Sequence, residues 1–154
     1  MTTLRAPTSV LFACDTNTVR SAIAALGPAI ELADIDVAMD DVQAVLSGDI
    51  FQRHVILGPR DATRARARLD GLAARITRSG KDVPAPADLE APTGELVAIV
   101  RHVADVAAAL SDSVRAGQFI ICGALTGPMF LESNETRLDY ALDPVGSVSA
   151  TFSI

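Results

Sequence analysis

The stretch Arg115-Ala-Gly-Gln-Phe-Ile-Ile-Cys-Gly-Ala-Leu-Thr-Gly127 decides the fold of this chain. Residues 119–122 form an apolar run that predicts a buried strand. Glycines flank residues 123–127, which predicts a tight loop directly after that strand. Further on, residues 136–140 and 147–152 alternate between apolar and polar side chains, as is typical of two strands that close a sheet.

The clearest helix lies just before this region. Leu96, Ile99, Val100 and Val103 recur at helical spacing within residues 93–110. Thr93 is the predicted N-cap of this helix, since a threonine oxygen can accept a bond from a free amide of the first turn. Residues 84–92 form a connector rich in proline and alanine, and we expect no central strand there.

Acidic side chains follow an apolar strand in the first third of the chain. Residues 29–33 predict a strand with Glu31 at its centre. Four carboxylates follow closely, at Asp34, Asp36, Asp40 and Asp41. A second strand is predicted over residues 52–58, closed by a glycine and a proline.

The chain opens with an apolar run at residues 9–13 that predicts a strand, followed by a polar turn. Asn17 or Thr18 can cap a helix that starts near Val19 and carries apolar residues as far as Leu26. The Gly-Pro pair at 27–28 ends it, because proline cannot continue a helix.

Residues 61–77 allow two interpretations. Arginine and alanine favour helices, so a helix over residues 61–75 is one of them. The other is a strand over residues 72–77, a hairpin turn at Ser79-Gly80 and a return strand over residues 81–84.

Composition excludes several classes of protein. The 154 residues are 49% hydrophobic and 21% charged, so we expect one folded domain over residues 1–154 and no disordered chain. No run of apolar residues is long enough to span a membrane, and the first residues do not resemble a signal peptide. A net charge of -6 argues against nucleic-acid binding. Two cysteines provide no disulfide framework, which favours a cytoplasmic protein.

With these motifs in place, the chain resembles the C-terminal part of 2-keto-4-pentenoate hydratases, which belong to the fumarylacetoacetate hydrolase superfamily. Residues 115–127 resemble the family's AGQ and TGSLTG motifs, and residues 146–152 resemble its GSVSVRF ending. The strand at 29–34 is similar to the family's ALEIVD strand. The resemblance implies an α+β fold, a mixed β-roll with two or three flanking helices, that lacks the family's usual N-terminal region.

The resemblance also implies a metal site that is partly lost here. The family's ALEIVD glutamate is a ligand of a divalent metal, and Glu31 stands in its place. The family's Glu-x-Glu pair, which binds the same metal, falls on Arg5 and Pro7, neither of which can ligate a hard cation. We therefore expect either no cofactor or a weakly held Mg²⁺ or Mn²⁺ on Glu31.

Several candidate site residues follow, each with a structural alternative. Glu31 is a metal ligand or general base, or else a carboxylate paired with an arginine. Asp34 and Asp36 are a pair for acid–base chemistry, or else part of a solvated acidic loop. Arg5 could bind a substrate carboxylate at the emptied metal position. In the loop, Gly123, Leu125, Thr126 and Gly127 could present amides to a substrate carboxylate, or could simply form a tight turn.

Two functions from different classes fit this sequence. The first is a hydratase-like enzyme, a lyase or isomerase, that hydrates, dehydrates, tautomerises or cyclises a small 2-oxo or enol acid, without a metal if necessary. The second is a noncatalytic subunit or small-acid-binding module. Because the missing region would leave apolar surface uncovered, we expect assembly with itself or with a full-length relative.

Overall fold

A computed structural model describes residues 2–4, 15–34, 37–38 and 40–153 of the protein. Its three α-helices are α1 (Thr16–Ala22), α2 (Val42–Ser47) and α3 (Leu96–Ala109). The nine strands are β1 (Thr2–Leu4), β2 (Ile23–Leu26), β3 (Ala29–Ala33), β4 (Gln52–Leu57), β5 (Ala73–Arg78), β6 (Lys81–Val83), β7 (Phe119–Ile120), β8 (Arg137–Asp143) and β9 (Gly146–Thr151). Short 3₁₀ turns occupy Asp49–Phe51 and Ala62–Arg64.

A four-stranded antiparallel sheet forms the centre, in the order β6-β5-β8-β9. The β5–β6 hairpin settles the ambiguity at residues 61–77 in favour of the strand. Its turn residues, Ser79 and Gly80, both have positive φ, as a tight hairpin that matches the twist of its strands requires. The predicted closing strands are confirmed as β8 and β9, which pair in continuous register.

Two smaller antiparallel sheets flank the central one. The first has the order β2-β1-β7, and the second pairs β3 with β4. The predicted strand at residues 29–33 is present with those bounds. The strand predicted over residues 119–122 is shorter, since β7 ends at Ile120. Residues 84–92, all of which are described, contain no strand, as predicted. The strand predicted over residues 9–13 lies outside the described residues.

The helix expected between Val19 and Leu26 is wrong in both bounds. Helix α1 starts earlier, at Thr16, because the Asp15 carboxylate rather than Asn17 or Thr18 caps it, accepting from the Thr18 amide at 2.8 Å. The helix ends at Ala22, and residues 23–26 form β2 instead. Pairing with β1 overrides the local helical preference of these residues, an effect that depends on contacts distant in sequence.

The long helix is confirmed with a later start and a different cap. Helix α3 begins at Leu96, not Thr93. The Leu96 amide donates to Oε1 of Glu90 at 2.7 Å, so the cap comes from the connector six residues earlier. Val97, Val100 and Ala104 form the buried face of the helix. The helical spacing is therefore confirmed, but Val100 is the one fully buried residue of the predicted set.

Two apolar clusters form the core. The larger one joins α1, β2, α3, β7 and β8 through buried residues that include Val19, Ile23 and Val100. The smaller one joins β3 to β9 through Ile30, Val148 and Ala150. Tyr140 on β8 packs against both clusters, so the central sheet connects them. No helix in the described part of the chain is long and apolar enough to cross a membrane.

Candidate functional site

A cavity of about 640 Å³ lies between the central sheet and the elements around β3. We call its two sides the sheet wall and the loop wall. The sheet wall consists of the cavity-lining residues of β5 and β8, and the loop wall consists of residues 29–34 and 121–131. Residues at the end of the connector and the start of α3 also line it, namely Leu89, Glu90, Thr93, Gly94 and Leu96. Cavities of this size suit small-molecule ligands.

Glu31 and Asp34 both line the cavity and belong to the same stretch of chain. Along β3, Ile30 is buried while Glu31 is exposed, as the alternation of a strand predicts. Strict alternation would turn Asp34 away from Glu31, yet both line the cavity. The β3–β4 register shifts between Leu32 and Ala33, and such an irregularity re-aims the residues that follow it.

Among the described residues, Asp34 forms one loose ion pair. Nε of Arg53 lies 3.9 Å from Oδ2 of Asp34, and both side chains are largely exposed. Exposed pairs of this kind contribute little to stability and leave the carboxylate available. Asp36 and Arg5, the other charged residues of the predicted site, lie outside the described residues.

The loop at residues 123–127 has a conformation that depends on glycine. Gly123 has φ of +93°, and a Cβ there would lie 2.4 Å from Cγ2 of Thr93. Gly123 therefore packs closely against Thr93, the residue that follows the connector. Within the described part of the chain, the amide N–H groups of residues 123–127 donate no hydrogen bond. Free amides beside a cavity are suited to an anion.

The two arginines that line the cavity among the described residues form ion pairs with carboxylates of the same chain. Arg78 pairs with Glu135 through a short hydrogen bond, and its Nη2 also donates to the Phe130 carbonyl at 2.6 Å. The hydrogen bond from Arg78 lowers the pKa of the Glu135 carboxyl and raises that of the guanidinium. Arg137, the other lining arginine among the described residues, donates to Asp139. Arg78 therefore anchors the loop wall to the sheet wall.

Most of the predicted site residues come together in this structure. Glu31, Asp34, Gly123, Leu125, Thr126 and Gly127 all line the one cavity. Sequence reasoning missed Arg78 and Glu135, which are 57 positions apart and carry no local motif. It also missed Tyr140, for which the apolar alternation of Leu138, Tyr140 and Leu142 was the available signal.

The described residues do not complete a metal site. No three His, Cys, Asp or Glu side chains in the described ranges lie close enough together to hold an ion. A hard divalent cation needs several oxygen ligands, and Glu31 with Asp34 falls short of that number.

The fold is similar to that of 4-oxalocrotonate decarboxylase from Pseudomonas putida G7. One structure of that enzyme, complexed with calcium and acetate, matches at a TM-score of 0.76 and 22% identity over 99% of this chain. Another, complexed with magnesium and adipate, matches at 0.81 and 21% identity. The chain spans 56–57% of the length of the decarboxylase chain. These matches confirm the predicted α+β fold. No protein-family model matches the sequence, and no curated protein matches it.

Proposed function

We propose that this chain is a single hydratase-like domain of the fumarylacetoacetate hydrolase superfamily that acts in the cytoplasm on a small 2-oxo or enol acid. The observation that carries the proposal is the gathering of two carboxylates and a loop with free amides around one cavity. The neighbouring fold belongs to an enzyme whose structures hold acetate and adipate, which supports a small acid as the ligand.

The proposed chemistry is proton transfer next to a carbonyl group. Glu31 removes the proton from the carbon beside the oxo group, and the electron pair moves to the carbonyl oxygen. The loop amides at residues 123–127 bind the acid and its developing negative charge. Asp34 acts as the general acid and delivers a proton to the carbon chain, which completes a tautomerisation. Hydration, dehydration or cyclisation would start from the same enol.

A metal has a limited place in this proposal. The resemblance implies a divalent metal that chelates such acids, but the described residues do not supply the ligands for one. In the proposed reaction, the side chains and loop amides act without a metal. Our proposal is that Mg²⁺ or Mn²⁺ binds weakly through Glu31 or not at all.

Isothermal titration calorimetry tests the proposal with oxalate, Mg²⁺ and Mn²⁺, separately and together. We expect oxalate to bind without metal and to bind less well to Arg5→Ala. Stoichiometric metal binding that disappears in Glu31→Ala would instead indicate a complete metal site. Asp82→Ala is the matched control, because Asp82 is an exposed carboxylate of β6 that does not line the cavity. No heat from any ligand would overturn the enzyme proposal.

A noncatalytic, assembling subunit is the second candidate. Large apolar side chains are exposed on α2 and on the segment that follows it as far as β4. The exposed fraction is 67% for Leu46 and 61% for Val42. Exposed apolar residues in such numbers favour an interface with a second copy or with a related full-length chain. Size-exclusion chromatography with light scattering should then show a dimer or larger species, which Leu46→Glu dissociates. A stable monomer would count against self-assembly.

A further inference from the structure

Tyr140 occupies the middle of the sheet wall. In the register of the central sheet it lies between Ile76 on β5 and Val148 on β9. Both of these neighbours are buried and apolar. The tyrosine ring packs against both core clusters, and the residue lines the cavity. Its position is therefore fixed by the sheet and not by a loop.

The hydroxyl of Tyr140 has an unusual environment. Among the described residues no group forms a hydrogen bond with it, although the side chain is half-buried. The hydroxyl oxygen is not completely sealed from solvent, so a molecule in the cavity can reach it. Burial raises the pKa of Tyr140 to about 12, so the group remains a neutral phenol at physiological pH. A neutral phenol donates a hydrogen bond, and buried polar groups ordinarily have a partner.

We propose that the Tyr140 hydroxyl is a ligand-binding group of the cavity and donates a hydrogen bond to a carboxylate or oxo oxygen of the bound acid. The inference rests on the proposed function, since it takes the ligand to be a small 2-oxo or enol acid. Both lining arginines of the described chain are occupied by carboxylates, so the phenol is the free donor on the sheet wall. The acid would be held between Tyr140 and the amides of residues 123–127.

Titration with oxalate tests this assignment, using the wild-type chain and Tyr140→Phe. We expect the substitution to weaken oxalate binding about tenfold, as the loss of a hydrogen bond to a charged oxygen does. Thr151→Val is the matched control, since it removes an exposed hydroxyl from the same sheet without touching the cavity. Oxalate binding to the control should equal binding to the wild type.

Spectroscopy on the wild-type chain provides an independent measurement. Tyr140 is the single tyrosine and the chain has no tryptophan, so tyrosine absorbance and emission report this residue alone. Tyrosinate should form only near pH 12, and oxalate should change the tyrosine emission. Equal oxalate affinity in Tyr140→Phe, with unchanged emission in the wild type, would overturn the role of Tyr140 and leave the proposed function standing. Failure of oxalate to bind the wild type would overturn both.

Discussion

The two walls of the cavity are built on different physical principles. The sheet wall is regular: its strands pair in continuous register, and its lining residues include the aliphatic Ile76, Leu138 and Leu142. The loop wall combines strand β3, whose pairing with β4 is interrupted by a register shift, with residues 121–131. It carries Glu31 and Asp34, together with unpaired amides. The sheet wall therefore supplies stability and a fixed surface, while the loop wall supplies the groups that can do chemistry.

This division implies that stability and binding respond to substitutions at different places. Changes in the buried side of the sheet wall should lower the free energy of unfolding most. Changes in the loop wall should have smaller effects on stability, and should act through backbone geometry and capping. Charged groups on the outer face of the sheet should matter least.

The largest expected effect is that of Ile76→Ala. Ile76 is 5% exposed at the centre of β5, so its truncation leaves a cavity in the core. We expect a loss of about 2–5 kcal/mol in the free energy of unfolding, measured by urea denaturation. Arg75→Ala changes the neighbouring residue, which points to the outer face and has only a weak ion pair with Asp143. That control should change stability by less than about 0.5 kcal/mol. Similar losses from both variants would mean that the sheet has no distinct inner face.

Gly123→Ala should have the next largest effect. The new Cβ would collide with Thr93, and the positive φ of this position strains any other residue. We expect a loss of about 1–3 kcal/mol in the free energy of unfolding. Gly127→Ala is the matched control in the same loop, because a Cβ added there would meet nothing within 4 Å and the φ of this residue is not positive. If the two variants were equally stable, the loop would not depend on contact with Thr93.

The cap of α3 gives a smaller effect. Glu90→Ala removes the carboxylate that accepts from the Leu96 amide, and should cost about 1 kcal/mol. Glu95→Ala removes an equal charge at the same helix terminus, where the side chain makes no capping bond. The difference in the free energy of unfolding between the two variants, measured by thermal or urea unfolding, gives the contribution of the hydrogen bond. The interaction of a negative charge with the helix dipole is lost in both variants and cancels. Equal losses would show that charge alone is responsible.

Sequence patterns predicted the repeating strands better than the contacts between residues that lie far apart in sequence. The alternation in β8 and β9 and the strand around Glu31 were visible because a half-buried strand repeats every second residue. The cap from Glu90 and the pair between Arg78 and Glu135 were not visible, since chain folding brings these groups together without a local motif. The local sequence of strand β2 predicted a helix. Its strand conformation depends on pairing with β1, which lies about twenty residues away in sequence and leaves no local signal.

The smallest expected effect concerns Asp139 on the outer face of the sheet. Hydrogen bonds from Arg137, and then from Ser149, lower the pKa of the Asp139 carboxyl from 3.8 to about 2. Because the pKa is lower in the folded state, the carboxylate stabilises the fold at pH values above about 4, and this contribution is lost as the pH falls toward 2. Asp139→Asn should therefore be less stable than the wild type near neutral pH, and the gap should close as the solution is acidified through this window. Since the carboxylate lies at the surface, the gap should be small and should shrink further in high salt. Asp82→Asn, which alters an exposed carboxylate of β6, provides the background for urea unfolding at each pH. A stability gap that persists unchanged to pH 2 would mean that the carboxylate of Asp139 does not stabilise the outer face through its charge.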